Sequence, residues 1–193
     1  VVDSARGWLR QRRVGHTGTL DPLATGLLVL CLGAATRLSE YLIRQSKEYH
    51  AVVRLGEITD SYDADGEVTD TRPVNVGLVE VTAALHQFRG EIEQYPPSFS
   101  AIKSAGQRAY KLAREGKDVR LPARKVRIDQ ISAINFEAPD VTLELVCSAG
   151  TYVRSLAHDL GQKLGCGAHL VALQRTTVGP FTLRHAHTMA ELD

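Results

Sequence analysis

Apolar residues recur at two periods along this chain, and the switches between them mark its elements. Residues 1–13 set Val1, Val2, Ala5, Trp8 and Leu9 against a row of arginines, which predicts an amphipathic helix. Residues 27–32 are an unbroken apolar run between Gly26 and Gly33, the pattern of a buried strand. Residues 36–44 return to helical spacing, with Leu38, Tyr41 and Leu42 on one face and Thr36 as a candidate cap. Residues 47–55 alternate, with Tyr49, Ala51 and Val53 on one side and His50, Val52 and Arg54 on the other. Residues 59–67 are polar and acidic and end in the turn pair Asp65-Gly66. The glutamate that a calcium loop places beyond its glycine is missing, so this stretch reads as a solvated turn.

Further along, helical spacing covers residues 79–88, and Tyr95-Pro96-Pro97-Ser98 breaks it. A short helix is predicted from Ala105 to Glu115, stopped by Gly116. Strand patterns follow over residues 124–134 and 141–147, then a helix over 155–164 closed by Gly165. Short strands or turns end the chain at 169–174 and 181–183. Helices and strands that do not alternate strictly predict an α+β domain with a mixed sheet. A chain of 193 residues holds one core with room for an insertion.

Composition narrows the class. A hydrophobic fraction of 44% and a charged fraction of 23% are those of an ordinary globular protein. No apolar run approaches the length of a membrane span, and no secretory signal is visible. The first residues look like a helix already under way, so an N-terminal segment is expected to be missing. The three cysteines are odd in number, far apart and lack a Cys-x-x-Cys pair, which points to reduced thiols in a cytoplasmic protein. Cys31 and Cys147 sit in apolar runs and are expected in the core. Cys166 and His169 have a loosely metal-like spacing without a second pair, so no metal is expected.

The net charge of +1 conceals segregation. Residues 55–95 carry nine acidic side chains against two arginines, and residues 97–127 carry nine Lys/Arg against two acidic ones. A further cluster, Arg6, Arg10, Arg12 and Arg13, leads into a glycine-rich stretch. One such block can be a mere solvated face, but two basic blocks suggest a phosphate-rich partner.

That stretch, residues 15–26, reads Gly-His-Thr-Gly-Thr-Leu-Asp-Pro-Leu-Ala-Thr-Gly. It sets Asp21 among flexible residues, with His16, Thr17 and Thr19 nearby, and Pro22 steers Asp21 away from helical backbone. A capping role for Asp21 is the plain alternative. Residues 150–154 read Gly-Thr-Tyr-Val-Arg, and as a strand end they put Tyr152 and Arg154 on one face. Arg154 could then pair with a loop carboxylate, and Tyr152 offers a flat surface to a base. The alternatives are a structural ion pair for Arg154 and core packing for each tyrosine.

Residues 15–26 resemble the catalytic motif of the TruB-type tRNA pseudouridine synthases. Lys47-Glu48-Tyr49, residues 150–154 and residues 165–175 resemble that family's other motifs in the same order, and the similarity runs nearly end to end. The resemblance implies a pseudouridine synthase catalytic domain, with a mixed, largely antiparallel sheet flanked by helices. It implies isomerisation of uridine 55 in the T-loop of tRNA, with neither cofactor nor metal and no obligate protein partner. Asp21 would be the catalytic carboxylate and Tyr49 would stack on the flipped base. Tyr152 and Leu173 would line the pocket, and His16 would occupy space near the extruded base. Arg154 would pair with Asp21, and Arg175 would lie near the RNA backbone. The basic stretch at about 97–125 corresponds to a family insertion that holds the T-loop, where Arg108, Lys111 and Arg114 would meet phosphates. The family's first loop, before the first helix, and its small C-terminal RNA-binding domain are expected to be absent. The competing reading is a non-catalytic RNA-binding or RNA-folding protein. A nucleotide-binding enzyme fits poorly, since neither Gly-Lys-Ser/Thr nor Gly-x-Gly-x-x-Gly is present.

Overall fold

A computed structural model describes residues 1–104, 106–117, 119 and 121–192. The chain opens with α1 (Val2–Trp8), followed by β1 (Val14–His16), β2 (Ala24–Gly26) and β3 (Leu30–Leu32). A 3-10 turn, Gly33–Leu38, runs into α2 (Ser39–Ile43). Then come β4 (Lys47–Leu55), β5 (Glu57–Thr59), β6 (Val68–Thr71), α3 (Leu78–His86) and β7 (Gly90–Gln94). A small hairpin, β8 (Lys103–Ser104) and β9 (Gln107–Arg108), precedes α4 (Ala109–Arg114). The chain ends with β10 (Arg124–Glu137), β11 (Asp140–Cys147), α5 (Val153–Leu164), β12 (Ala168–Val178) and β13 (Phe181–Thr182), then two short 3-10 turns.

One seven-stranded sheet organises these elements in the order β13-β12-β4-β11-β10-β7, and β2 is added to β12. Every pairing is antiparallel except β2 with β12, so the sheet is mixed and largely antiparallel as expected. The alternation in β4 explains its central place: Tyr49, Ala51, Val53 and Leu55 are buried, and partners from both neighbours meet them in register. Leu145 and Leu143 of β11 lie opposite Tyr49 and Ala51, and Leu170 and Leu173 of β12 lie opposite Val53 and Ala51.

The core forms where α3 and α5 cover this sheet. Val81, Ala84 and Leu85 of α3 and Val153, Leu156, Ala157 and Leu160 of α5 pack against the strands. Truncating a side chain such as Leu160 to alanine would cost about 2–5 kcal/mol. Close approach of α5 to β12 requires Gly161, where a Cβ would overlap the backbone of Gly167 and Ala168. Gly165, in the left-handed conformation, ends α5 where the sequence places its stop.

Four expectations need correction. The apolar run 27–32 is a strand only over Leu30–Leu32, because it pairs with β1 in a separate two-stranded ribbon that leaves Leu32 exposed. The predicted helix 36–44 starts as a 3-10 turn beside that ribbon rather than on the sheet. Leu38 and Tyr41 are therefore exposed, and the Thr36 hydroxyl donates to the Gly33 carbonyl instead of capping. The short element at 169–174 is the long strand β12; two register shifts, after Leu170 and after Arg175, break the alternation that would have revealed it. The acidic stretch 59–67 is not a solvated turn: Thr59, Ser61 and Asp63 are buried.

Of the helix predicted at 105–115, Ala105 lies outside the described residues, and α4 covers Ala109–Arg114. Around it Ala109, Val119 and Leu121, with Ile102 and Leu112, form an apolar cluster separate from the main core. Cys31, Cys147 and Cys166 are all buried thiols. Among the described residues no helix is long and apolar enough to cross a membrane.

Candidate active site

The loop between β1 and β3 is tied to the sheet at both ends. β2, inside it, pairs with β12 so that Gly26 lies opposite Arg175. Gly26 has a φ of 97°, and a Cβ there would overlap the Arg175 carbonyl, so only glycine lets the two backbones meet. That carbonyl accepts from the Leu27 amide at 2.8 Å. Arg175 itself is 2% exposed; its Nε donates to the Leu27 carbonyl at 2.8 Å and its Nη2 to the Gly18 carbonyl at 3.1 Å. Arg175 is a buried strut beneath the loop, holding two of its carbonyls and lying against the Tyr49 phenol.

Asp21 is presented by this loop. Its carbonyl accepts from the Ala24 amide at 2.9 Å, which closes a turn through Pro22. Its carboxylate is not used as a cap. Arg154 donates through Nη2 to Oδ1 at 2.8 Å and through Nε to Oδ2 at 3.0 Å, a two-pronged, charge-assisted pair. The predicted pairing is therefore present, but its local cause differs. Residues 152–154 are not a strand end. Tyr152 is the extended residue that precedes α5, and Arg154 sits in the first turn of that helix.

The Arg154 side chain is 4% exposed and meets more than Asp21. Nη1 lies 3.3 Å from Asp63 Oδ2 and donates to the Ser61 carbonyl at 3.2 Å; Nη2 also donates to the Phe99 carbonyl at 3.1 Å. Asp63 is itself 4% exposed, and its Oδ1 accepts from the Ser61 hydroxyl at 2.5 Å and the Asp65 amide at 3.1 Å. A buried guanidinium is tolerable because every side of it meets an acceptor. Asp63 is the residue that sequence reasoning missed. Its only sequence signal is its place between hydroxyl and glycine residues in a stretch otherwise typical of a surface turn.

A cavity of about 760 Å³ opens over these groups. Asp21, Tyr49, Arg114, Tyr152, Arg154, Leu173 and Arg175 all border it, so seven of the predicted residues come together from five parts of the chain. His16 does not border it; that side chain is exposed, and its Nδ1 accepts from the Gly18 amide at 3.3 Å. Burial pushes the Tyr49 phenol up to about 12, so it is a neutral ring at physiological pH. Burial also raises Tyr152. Lys47 is buried at the same wall, its Nζ donating to the Ile43 and Gln45 carbonyls at 2.5 and 2.6 Å. Burial lowers its pKa, and the neighbouring Arg175 adds to that.

The three predicted insertion cations are not equivalent. Arg114 borders the cavity, with its guanidinium 5.7 Å from the centre of the Tyr110 ring. Arg108 donates to the Ala101 carbonyl at 2.6 Å, and Lys111 is exposed; neither borders the cavity. The cavity lining also includes the acidic residues Asp60, Asp65 and Glu67. Among the described residues no group of His, Cys, Asp and Glu could hold a metal ion, and His169 Nδ1 instead lies 3.1 Å from the Glu57 carbonyl.

Fold and site together define a class: a mixed-sheet domain that displays an arginine-paired carboxylate in a cavity with aromatic walls. Two solved structures share this fold. The chain aligns with one described as "Crystal Structure of a Cbf5-Nop10-Gar1 Complex" at a TM-score of 0.70 and 32% identity, over 94% of this chain and 45% of that one. It aligns with another, "Structure of H/ACA RNP bound to a substrate RNA containing 2'-deoxyuridine", at 0.68 and 29%, over 94% and 43%.

The chain belongs to the TruB family of pseudouridylate synthases. The family's N-terminal domain model matches residues 6–153, and a model described as "tRNA pseudouridylate synthase B C-terminal domain" matches residues 154–193. The two matches meet inside the first turn of α5, so Asp21 and Arg154 fall on opposite sides of that boundary. The chain is 50% identical to the tRNA pseudouridine synthase B of Pseudomonas paraeruginosa over 193 residues, all of this chain and 64% of that protein. It is 46% identical to that of Chromobacterium violaceum, over all of this chain and 63% of that protein. It is 50% identical to that of Burkholderia mallei over 189 residues, 98% of this chain and 63% of that protein. The chain thus spans a little under two thirds of the length of these curated relatives.

Proposed function

We propose that this chain isomerises uridine 55 in the T-loop of tRNA to pseudouridine, with Asp21 as the catalytic carboxylate. The observation that carries this reading is the two-pronged Arg154–Asp21 pair on the floor of an aromatic-walled cavity. The reaction breaks the bond between N1 and C1′, turns the ring, and joins C5 to C1′; the C5 proton leaves and N1 gains one. No atom is gained or lost. A uridine in a folded loop must first be extruded, at a cost of a few kcal/mol. Stacking on the Tyr49 ring returns roughly 1–3 kcal/mol of that.

Each wall then has a task. Leu173 and Tyr152 confine the base while it is detached from the sugar. Asp21 acts as nucleophile at C1′ or at C6 of the base, or takes a proton from C2′; all three need a carboxylate of fixed direction, which Arg154 supplies. Arg114, Lys111 and Arg108 on the insertion at about 97–125 meet phosphates of the T-arm. The same reading places the protein in the cytoplasm with its tRNA.

Asp21→Asn keeps the size and polarity of the side chain and removes its charge. Mass-spectrometric mapping of pseudouridine in a T-loop hairpin should find full conversion by the parent chain and none by the variant, with RNA binding kept. Conversion by the variant would remove Asp21 as catalyst. Binding without conversion by the parent chain would favour an RNA-binding or RNA-folding protein instead.

A further inference from the structure

Behind the cavity wall two rings lie face to face. Tyr62, from the loop between β5 and β6, stacks on His158 of α5 with centroids 3.9 Å apart and planes at 19°. Neither ring borders the cavity, but the residues on both sides of Tyr62, Ser61 and Asp63, do. Tyr62 has a φ of 65°, in the left-handed region that bulky side chains avoid. Such a conformation survives only where its surroundings enforce it, and strain of this kind concentrates at functional sites.

The hydrogen bonds show what the conformation achieves. The Tyr62 carbonyl accepts from the Leu170 amide at 3.0 Å, which ties the loop to β12. The turn at Tyr62 then sends the Ser61 carbonyl and the Asp63 carboxylate together toward the Arg154 guanidinium. His158 stands four residues after Arg154 on α5, so the two side chains leave the same face of the helix. Among the described residues His158 Nδ1 is buried with no hydrogen-bond partner, so the stack rather than a polar contact on that nitrogen holds this edge of the ring. Burial also lowers the His158 pKa, which favours a neutral ring against Tyr62.

We infer that the Tyr62–His158 stack is a positioning clamp, which fixes the Ser61–Asp63 segment on α5 and so sets the direction in which Arg154 holds Asp21. Tyr62 and His158 are positioning residues; neither touches the reacting atoms. The inference rests on the role proposed above for Asp21, and it adds two residues from outside the cavity to the machinery.

The test separates the ring from the backbone. Tyr62→Gly removes the ring and suits a φ of 65° better than tyrosine does. Tyr62→Phe keeps the ring. His158→Gln removes the stacking partner, and His158→Phe keeps one. Each is measured by thermal melting, by affinity for a T-loop hairpin, and by the single-turnover rate of pseudouridine formation. The clamp predicts that Tyr62→Gly and His158→Gln fold and bind RNA within about twofold of the parent but turn over about tenfold or more slowly, since small misplacements of a reacting group are costly. Both Phe variants should recover the parent rate.

A parent-like rate in Tyr62→Gly overturns the clamp. So does a rate loss that tracks lost RNA affinity, or one that Phe does not rescue. If the parent chain itself makes no pseudouridine, the activity reading fails separately, and the clamp is read from the Arg154 Nε–H NMR signal. That signal should be protected from exchange in the parent and Tyr62→Phe and lose protection in Tyr62→Gly; equal protection in all three overturns it.

Discussion

Asp63→Asn tests whether the second carboxylate on Arg154 stabilises the fold. Arg154 and Asp63 are each 4% exposed and 3.3 Å apart, so neither can exchange its partner for water. Breaking a buried pair by removing one charge costs about 3–5 kcal/mol, because the remaining charge is left uncompensated. Two features reduce that figure. Arg154 keeps the Asp21 carboxylate and the Ser61 and Phe99 carbonyls, and the asparagine oxygen can still accept from the Ser61 hydroxyl and the Asp65 amide. In that orientation, however, the new NH2 points at Nη1, donor against donor. A net loss of about 2–3 kcal/mol follows. For a chain of this size each kcal/mol lowers Tm by about 2–4 °C, so calorimetry should show a drop of about 4–12 °C. Asp63→Ala, which also abandons the hydroxyl and amide, should fall further. A drop below about 2 °C for Asp63→Asn would refute the claim that this ion pair is a structural necessity.

Gly26→Ala should be destabilised more severely than an exposed glycine substitution such as Gly116→Ala, because only at Gly26 would the new Cβ overlap a backbone carbonyl. Comparing the two by chemical denaturation checks this, and equal losses would mean that positive φ alone is responsible. Asp159 is raised by burial from its ordinary 3.8 to about 6. Its folded-state pKa lies above the unfolded one, so its contribution is fully present below pH 4 and is lost as the pH rises through about 6. Asp159→Asn should therefore raise Tm at pH 7 relative to the parent and leave it unchanged near pH 4; a Tm gain of the same size at both pH values would contradict the burial cause. Neutralising Arg108, Lys111 and Arg114 together should weaken tRNA binding and flatten the plot of log affinity against log salt, by roughly 0.7–0.9 for each phosphate that is no longer neutralised. An unchanged slope would take the insertion off the binding surface.

The parts of this fold that were legible in the sequence are those whose local pattern and final environment agree. β4 alternates because the sheet buries one of its faces, and so Tyr49 could be assigned to the buried side before any tertiary contact was known. The family resemblance implies the match of Arg154 to Asp21, whereas the strand-end reading of the local sequence, which offers Arg154 a loop carboxylate, has the wrong local structure. Tyr152 is extended and no side-chain cap marks the start of α5, so the helix N-terminus imitates the end of a strand. The burial of Asp63 and Arg175 was not legible because charge normally signals exposure. Both are buried by residues distant in sequence: Arg154, which pairs with Asp63, and Leu27 and Gly18, which take the hydrogen bonds of Arg175. The exposure of Leu38 and Tyr41 failed in the opposite sense, since a helical apolar stripe says nothing about whether a surface lies opposite it.

Arg154 gives the site a property that none of its neighbours has alone. Its guanidinium takes the Asp21 carboxylate from the glycine-rich loop, the Asp63 carboxylate and Ser61 carbonyl from the acidic loop, and the Phe99 carbonyl at the start of the insertion. Three walls of the cavity are thus fastened to one turn of one helix, and α5 is itself fixed to the core through Val153, Leu156, Ala157 and Leu160. For the reaction proposed here that coupling matters, because a detached uracil must turn inside the cavity without escaping. Walls that shared no anchor could separate independently while the ring turned. It also means that the insertion and the carboxylate are not independent. In the proposed complex, a force that RNA applied near Phe99 would reach Asp21 through a single rigid, planar group, by two hydrogen bonds from the same Nη2. The fork geometry of arginine suits that task in a way a lysine ammonium would not, since one rotation of the plane reorients all of its donors together.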